Sequence, residues 1–162
     1  MGFLIVVNIF RCASNFTHIQ DIYIKNKIMN WEYVSGFFDA DGHITLSAMN
    51  KGKNKTVCVG FTNIDLNLLE EIKMFIDNEI NVKGSISKRT SKESHHSDCY
   101  NLVYRYNLGL LVAEKINSRH YKKKEKIKLV LDKYKSLTPR NGKYSDDMLK
   151  MREKFINEFF SL

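Results

Sequence analysis

The run Val34-Ser35-Gly36-Phe37-Phe38-Asp39-Ala40-Asp41-Gly42 stands apart from ordinary core patterning. Trp31, Val34, Phe37 and Phe38 recur at helical spacing, which predicts a short helix closed at Gly42, where glycine can supply a left-handed or otherwise unusual backbone. Asp39 and Asp41 then fall at the C-terminal end of that helix, where the partial charge is already negative. Carboxylates gathered there suit a divalent cation. The competing reading is that both are solvated or capping groups. Ser35, Gly36 and Ala40 are small and lie on or near one helical face, with Gly36 and Ala40 four residues apart, so the backbone of a second helix can approach closely. Twin copies of the helix packed in this way would bring two Asp41 residues together.

Downstream of Gly42 the period changes from helical to alternating. Ile44, Leu46 and Ala48 alternate with His43, Thr45 and Ser47; Val57, Val59 and Phe61 alternate with Thr56, Cys58, Gly60 and Thr62. These are two half-buried strands joined through the polar turn at 50–55. Asp65 is a good N-cap for a helix whose apolar stripe is Leu66, Leu69, Ile72 and Ile76 and which stops near Asn81. Segments 84–89 and 100–107 read as two more strands flanking the hydrophilic loop 90–98. The order αββαββ, with no residue-level repeat, predicts an α+β domain: a four-stranded sheet with helices on one face. Further helices are expected at 108–118, 121–136 and 145–160. The last begins at Ser145 and carries Met148, Met151, Phe155 and Phe159 along one side, after a hinge at 137–143 that holds the only Pro and an Asn-Gly pair. Residues 1–28 have no clean period and read as an arm or upstream extension, leaving 29–162 as the domain.

Size and charge agree with this. A chain of 162 residues is expected to make one domain, or one domain plus an arm, not a large multidomain enzyme. Its 26 Lys and Arg against 18 Asp and Glu leave a formal charge of +8, which draws it toward polyanions. Cys12, Cys58 and Cys99 are too far apart for a zinc spacing or a paired disulfide framework, which points to a reducing compartment. The apolar stretch 3–10 is too short to span a bilayer and lacks a basic leader, so neither membrane insertion nor export is expected.

The nine-residue run resembles the signature of the LAGLIDADG homing endonuclease family, matching it at Gly36, Asp39, Ala40, Asp41 and Gly42, with Ser35 in place of Ala. The resemblance extends to the αββαββ order and implies a saddle-like four-stranded antiparallel sheet lying on double-stranded DNA. It implies that paired motif helices form the subunit interface through Ser35, Gly36 and Ala40. With one copy of the motif in the chain, the implied active unit is a homodimer cutting a long, pseudo-palindromic, intron-associated target. Such an enzyme works inside the cell, wherever the host DNA resides. By similarity Asp41 is the metal-binding acid, assisted by the backbone carbonyl of Ala40, while Asp39 is structural. Mg²⁺ is the implied ion, with Ca²⁺ or Mn²⁺ able to substitute; an oxygen-only site with few protein ligands leaves room for phosphate and water.

Two further catalytic positions follow from the family pattern. Between Lys115 and Lys143 there are 11 Lys and Arg and two acids, most of them necessarily a solvated face. A family lysine entering this helix borders the active site; Lys123 is the best register, with Lys122 and Lys124 competing. Asn63 occupies the end of the second strand, where a polar residue orders active-site water in the family. Strand alternation then puts Thr45, Ser47, Met49, Asn54, Thr56, Gly60, Ser85, Ser87, Arg89, Asn101 and Arg105 on the face away from the helices. Arg89, Arg105 and Asn101 are the strongest candidates for base contacts, since Arg pairs bidentately with guanine and Asn with adenine. Lys51, Lys53 and Lys55 are expected to grip phosphates. For each of these positions, plain solvent exposure or a phosphate contact competes with base reading. Tyr100, Tyr104 and Tyr106 have the phase of the helix side and are expected in the core. His95 and His96 lack partners at metal spacing, and His43 is expected at the surface. Two other functions suit the same scaffold: an intron RNA maturase and a DNA-binding protein that does not cut.

Overall fold

The computed structural model describes residues 29–48, 55–90, 97–139 and 142–162. The arm at 1–28, the proposed DNA contacts Met49, Lys51, Lys53 and Asn54, and His95 and His96 lie outside the described residues. In chain order the elements are α1 (Trp31–Asp41), β1 (Gly42–Ala48), β2 (Lys55–Asn63), α2 (Leu66–Ile80), β3 (Ser85–Arg89), β4 (Cys99–Arg105), α3 (Asn107–Lys115), α4 (Tyr121–Lys133) and α5 (Asp146–Ser161). The strands form one antiparallel sheet in the order β1-β2-β4-β3, and the domain is α+β, as the pattern predicts.

Register assigns each face of the sheet. Gly42 pairs with Phe61, Phe61 with Leu102, and Leu102 with Ile86; Ile44 pairs with Val59, which pairs with Tyr104. Cross-strand partners share a face. These rows hold most of the fully buried strand residues, Val59, Phe61, Leu102 and Tyr104, and they meet Val34 and Phe38 of α1 with Leu69, Ile72 and Ile76 of α2. The other face carries the rows His43–Gly60–Val103–Ser85, Thr45–Cys58–Arg105 and Thr62–Asn101–Ser87.

Local chemistry sets the helix ends. Asp65 accepts from the Leu68 N–H at 3.2 Å and starts α2; Asn81, at φ 49°, ends it in the left-handed conformation that Asn tolerates. Asp77, in the last turn of α2, accepts from the Gly84 N–H and the Tyr104 hydroxyl, which ties the helix to the residue before β3 and to the C-terminal end of β4. Burial first, and then the Asp77 charge, push the Tyr104 phenol well above its ordinary range.

Several expectations are corrected here. Gly42 does not use a left-handed backbone: among the described residues, positive φ occurs only at Asn81, Tyr106 and Gly142. Gly42 is needed for proximity, because a Cβ there would lie 2.6 Å from the Phe38 Cα. Of the three tyrosines placed in the core, Tyr104 is fully buried and Tyr100 half-buried, whereas Tyr106 is 45% exposed. Tyr106 is the residue at which β4 gives way to α3, and its φ of 55° and ψ of −132° turn it off the strand's alternation. In α5, Phe155 and Phe159 are buried as expected, but Met151 is 51% exposed and Arg152 takes the inward position. Residues 152, 155 and 159 form the i, i+3, i+7 stripe, and Met151 lies about 100° away from it.

Candidate functional site

The C-terminal end of α1 is the meeting point of three elements. Asp41, exposed at the last position of the helix, has one carboxylate oxygen held by Asn63 Nδ2 at 2.8 Å. The other end of the Asn63 amide accepts from the Asp65 N–H at 2.9 Å, so the turn after β2 fixes the side chain that orients the acid. From α4, Lys123 Nζ donates to the carbonyls of Phe38 and Asp39 at 2.8 and 2.9 Å and lies 5.3 Å from the centre of the Phe38 ring. Burial lowers the Lys123 pKa, and the charges of Asp39 and Asp41 oppose that shift. Lys122 and Lys124, the competing positions, are exposed on α4.

Asp39 faces the chain itself. Oδ1 accepts from the Ser118 hydroxyl and Oδ2 from the Arg119 N–H at 2.7 Å. Burial raises its pKa, but hydrogen bonds from Ser118, Arg119 and His120 together with the Lys123 charge outweigh that, leaving the carboxyl below its ordinary value. Ser35 departs from expectation. It is 6% exposed, and its Oγ accepts from the Asn117 N–H at 2.9 Å, so it faces residues 117–119 of the same chain. Gly36 and Ala40 remain outward; a Cβ on Gly36 would meet nothing within 4 Å. Tyr33 and Phe37 stack at 6.5 Å on the same flank of α1.

The open face of the sheet extends from this helix end. Thr45, Ser47, Ser85, Ser87, Arg89, Asn101 and Arg105 all lie on it, as alternation requires. Thr56 shares the face but is 8% exposed, with its hydroxyl donating to the Ser47 carbonyl. Thr62 donates to the Asn101 side-chain carbonyl at 3.2 Å. Gly60 is covered: a Cβ there would lie 2.6 Å from the His43 ring. Lys55 has the opposite phase, and its ammonium lies 4.4 Å from the centre of the Phe160 ring of α5, away from the face it was expected to serve. His43, Cys58, Thr62, Cys99 and Val103 also belong to this face, and extending the same period-two count would have named them. His43 is half-buried. Burial, then the charges of Lys123 and Arg89, lower its pKa, so the imidazole sits in a positive field beside the helix end.

Among the described residues there is no group of three or more His, Cys, Asp or Glu able to hold a metal, and no helix long and apolar enough to cross a membrane. The donors of the α1 terminus nevertheless suit a hydrated oxygen-seeking ion. They comprise one exposed carboxylate and, in Ala40, one of the last helical carbonyls that lack an intrahelical partner.

A family model described as a LAGLIDADG-like domain matches residues 30–131, and the chain belongs to that family. Among solved structures, the crystal structure of the LAGLIDADG homing endonuclease I-GzeII in complex with its DNA target is similar in fold. The TM-score is 0.50 at 20% identity, over 81% of this chain and 44% of that one. The chain thus spans less than half the length of this structural relative. No curated protein matches the chain.

Proposed function

We propose that the chain is a divalent-metal-dependent, site-specific endonuclease that cuts double-stranded DNA as a homodimer, on a long pseudo-palindromic target associated with an intron. The observation that carries this reading is the convergence at the end of α1: Asp41 oriented by Asn63, with Lys123 brought in from α4. The complex of the structural relative with its DNA target supports DNA as the ligand class.

The residues divide the work. Asp41 and the Ala40 carbonyl would hold Mg²⁺, which when bound neutralises charge on the departing 3′ oxygen and makes a water more acidic. Asn63 keeps the Asp41 carboxylate in one orientation, which lowers the entropy lost when the site assembles. Lys123, beside that carboxylate and partly desolvated, supplies fixed positive charge to the phosphate as negative charge develops. Arg89, Arg105 and Asn101 read bases from the open face, with Ser85, Ser87, Thr45 and Ser47 less discriminating. One chain offers a single such acid, and the outward strip of Gly36 and Ala40, flanked by the stacked Tyr33 and Phe37, is shaped for a second copy of α1.

The test incubates the purified protein with the intron-free allele of its host gene and Mg²⁺. Linear product is expected, and Asp41→Asn should lower cutting by about 10³-fold or more while target binding is largely kept. Undiminished cutting by that variant removes the metal assignment. Assistance to splicing without any cutting would replace the nuclease reading with an RNA maturase, and binding without either would leave a DNA-binding protein.

A further inference from the structure

Ser35 and Asp39 are four residues apart on α1 and about 100° round the helix from Gly36 and Ala40. Where the Gly36 strip faces outward, these two grip the connection between α3 and α4. Ser35 accepts from the Asn117 N–H, and Asp39 accepts from the Ser118 hydroxyl and the Arg119 N–H. That connection leads directly into α4, whose third residue is Lys123. Lys123 then returns to the same helix and donates to the carbonyls of Phe38 and Asp39. A closed loop of interactions results, in which Asp39 takes part twice, through its side chain upstream of the lysine and through its backbone at the ammonium.

We propose that Ser35 and Asp39 are positioning residues for Lys123: the motif helix sets where the lysine arrives by clamping residues 117–119. This rests on reading Lys123 as the active-site lysine. The geometry separates Asp39 from the metal-binding role of Asp41, because each Asp39 oxygen already accepts a hydrogen bond from this connection. It also accounts for the polar groups this chain carries at both positions, including Ser35 where the family signature has Ala. The N–H groups of Asn117 and Arg119 lie outside a helix and need acceptors, and the helix face supplies them.

Two measurements test the clamp. The first uses the full chain without DNA or metal and reads the rate at which Lys123 is acylated, by mass spectrometry, against Lys122 and Lys124 as internal references. Asp39→Ala should raise the Lys123 rate by at least about fivefold, the change expected for losing one hydrogen bond's worth of restraint. Asp39→Asn should stay within about twofold, because its amide can accept from Arg119 and donate to the Ser118 oxygen. The second reads single-turnover cleavage. Asp39→Ala should cost about 10²-fold when Lys123 is present and under about threefold in a Lys123→Met background, with Asp39→Asn retaining most activity. Equal losses in both backgrounds, or loss in Asp39→Asn with Lys123 labelling unchanged, would overturn the clamp and make Asp39 a charge acting on substrate or ion. Should Asp39→Ala not fold, Ser118→Ala removes one arm and is read in the same two assays. If the wild-type chain cuts no DNA, the labelling experiment still decides the clamp, so failure of the nuclease reading and failure of this inference are distinguishable.

Discussion

Lys123 and Arg152 make nearly the same bonds in different surroundings. Each is a cation on a late helix that donates to two backbone carbonyls and lies near an aromatic ring: Lys123 to Phe38 and Asp39 beside the Phe38 ring, Arg152 to Leu137 and Lys55 beside Tyr144. Arg152 also donates to the Thr138 hydroxyl and is 5% exposed, so its fixed charge is surrounded by neutral oxygens and joins α5, the hinge and the first residue of β2. Lys123 is only half-buried, and the carboxylates that act on it are Asp39 and Asp41. A buried cation whose donors all end on neutral groups is part of the scaffold. One left beside an exposed acid is the kind that the proposed function assigns to a phosphate.

The sharpest way to break this comparison is to remove each cation. Lys123→Met should lower single-turnover cleavage by about 10²- to 10³-fold and move the unfolding midpoint little. Arg152→Met should do the reverse, costing about 3 kcal/mol in urea unfolding through lost charge-assisted bonds while the folded fraction still cuts within a few-fold of wild type. If Arg152→Met abolishes cutting in fully folded protein, the division between the two fails.

A smaller effect separates the two glycines of the motif. Gly42→Ala forces a methyl against the Phe38 backbone and should cost about 1–3 kcal/mol. Gly36→Ala meets nothing in the single chain and should raise its stability by up to about 1 kcal/mol through helix propensity. The same substitution should weaken self-association in analytical ultracentrifugation. Unchanged association would remove the Gly36 strip from the proposed interface.

The smallest effect is a pH dependence carried by His43. Its folded pKa lies below its ordinary 6.5, so the unfolded chain binds the proton more readily. The stability it contributes is fully present above pH 6.5 and is lost as pH falls through the lower folded value. Urea unfolding of metal-free protein at pH 7.5 and at a series of lower values should therefore show a smaller decline in His43→Gln than in wild type. An identical decline would show that the ring is not restrained against Gly60.

Periodicity made most of the elements legible. The change from helical spacing at Trp31, Val34 and Phe38 to alternation at Ile44 and Leu46 marks the α1–β1 boundary, and the strand phases separate the core row of Phe61 from the open row of Thr62. The family resemblance implies a lysine at the start of α4, and of the three candidates Lys123 is the one whose ammonium reaches the α1 carbonyls. What could not be read came from interactions distant in sequence. Ser35 is small enough for a helix contact, and only the arrival of Asn117 against it shows that it faces inward. Arg152 looks solvated in sequence because arginine usually is; its acceptors, Leu137 and Lys55, are 15 and 97 residues away. The charge of Lys55 suggests a phosphate contact, but its strand phase points to the helix side, and His43 has the phase of the open face, which position and not residue type reveals.

The backbone at Tyr106 makes the start of α3 depend on a distant strand. A tyrosine at φ 55° and ψ −132° resists that conformation, by about 1–3 kcal/mol for such regions, so the turn is not formed by local preference. It is held by the Tyr106 N–H donating to the Val57 carbonyl and by the Leu110 N–H donating to the Tyr106 carbonyl. Val57 is 49 positions earlier in the chain. The start of helix α3 is therefore set by the sheet: the bond that holds Tyr106 in this conformation is made to β2, and the Tyr106 carbonyl in turn opens the helix ladder.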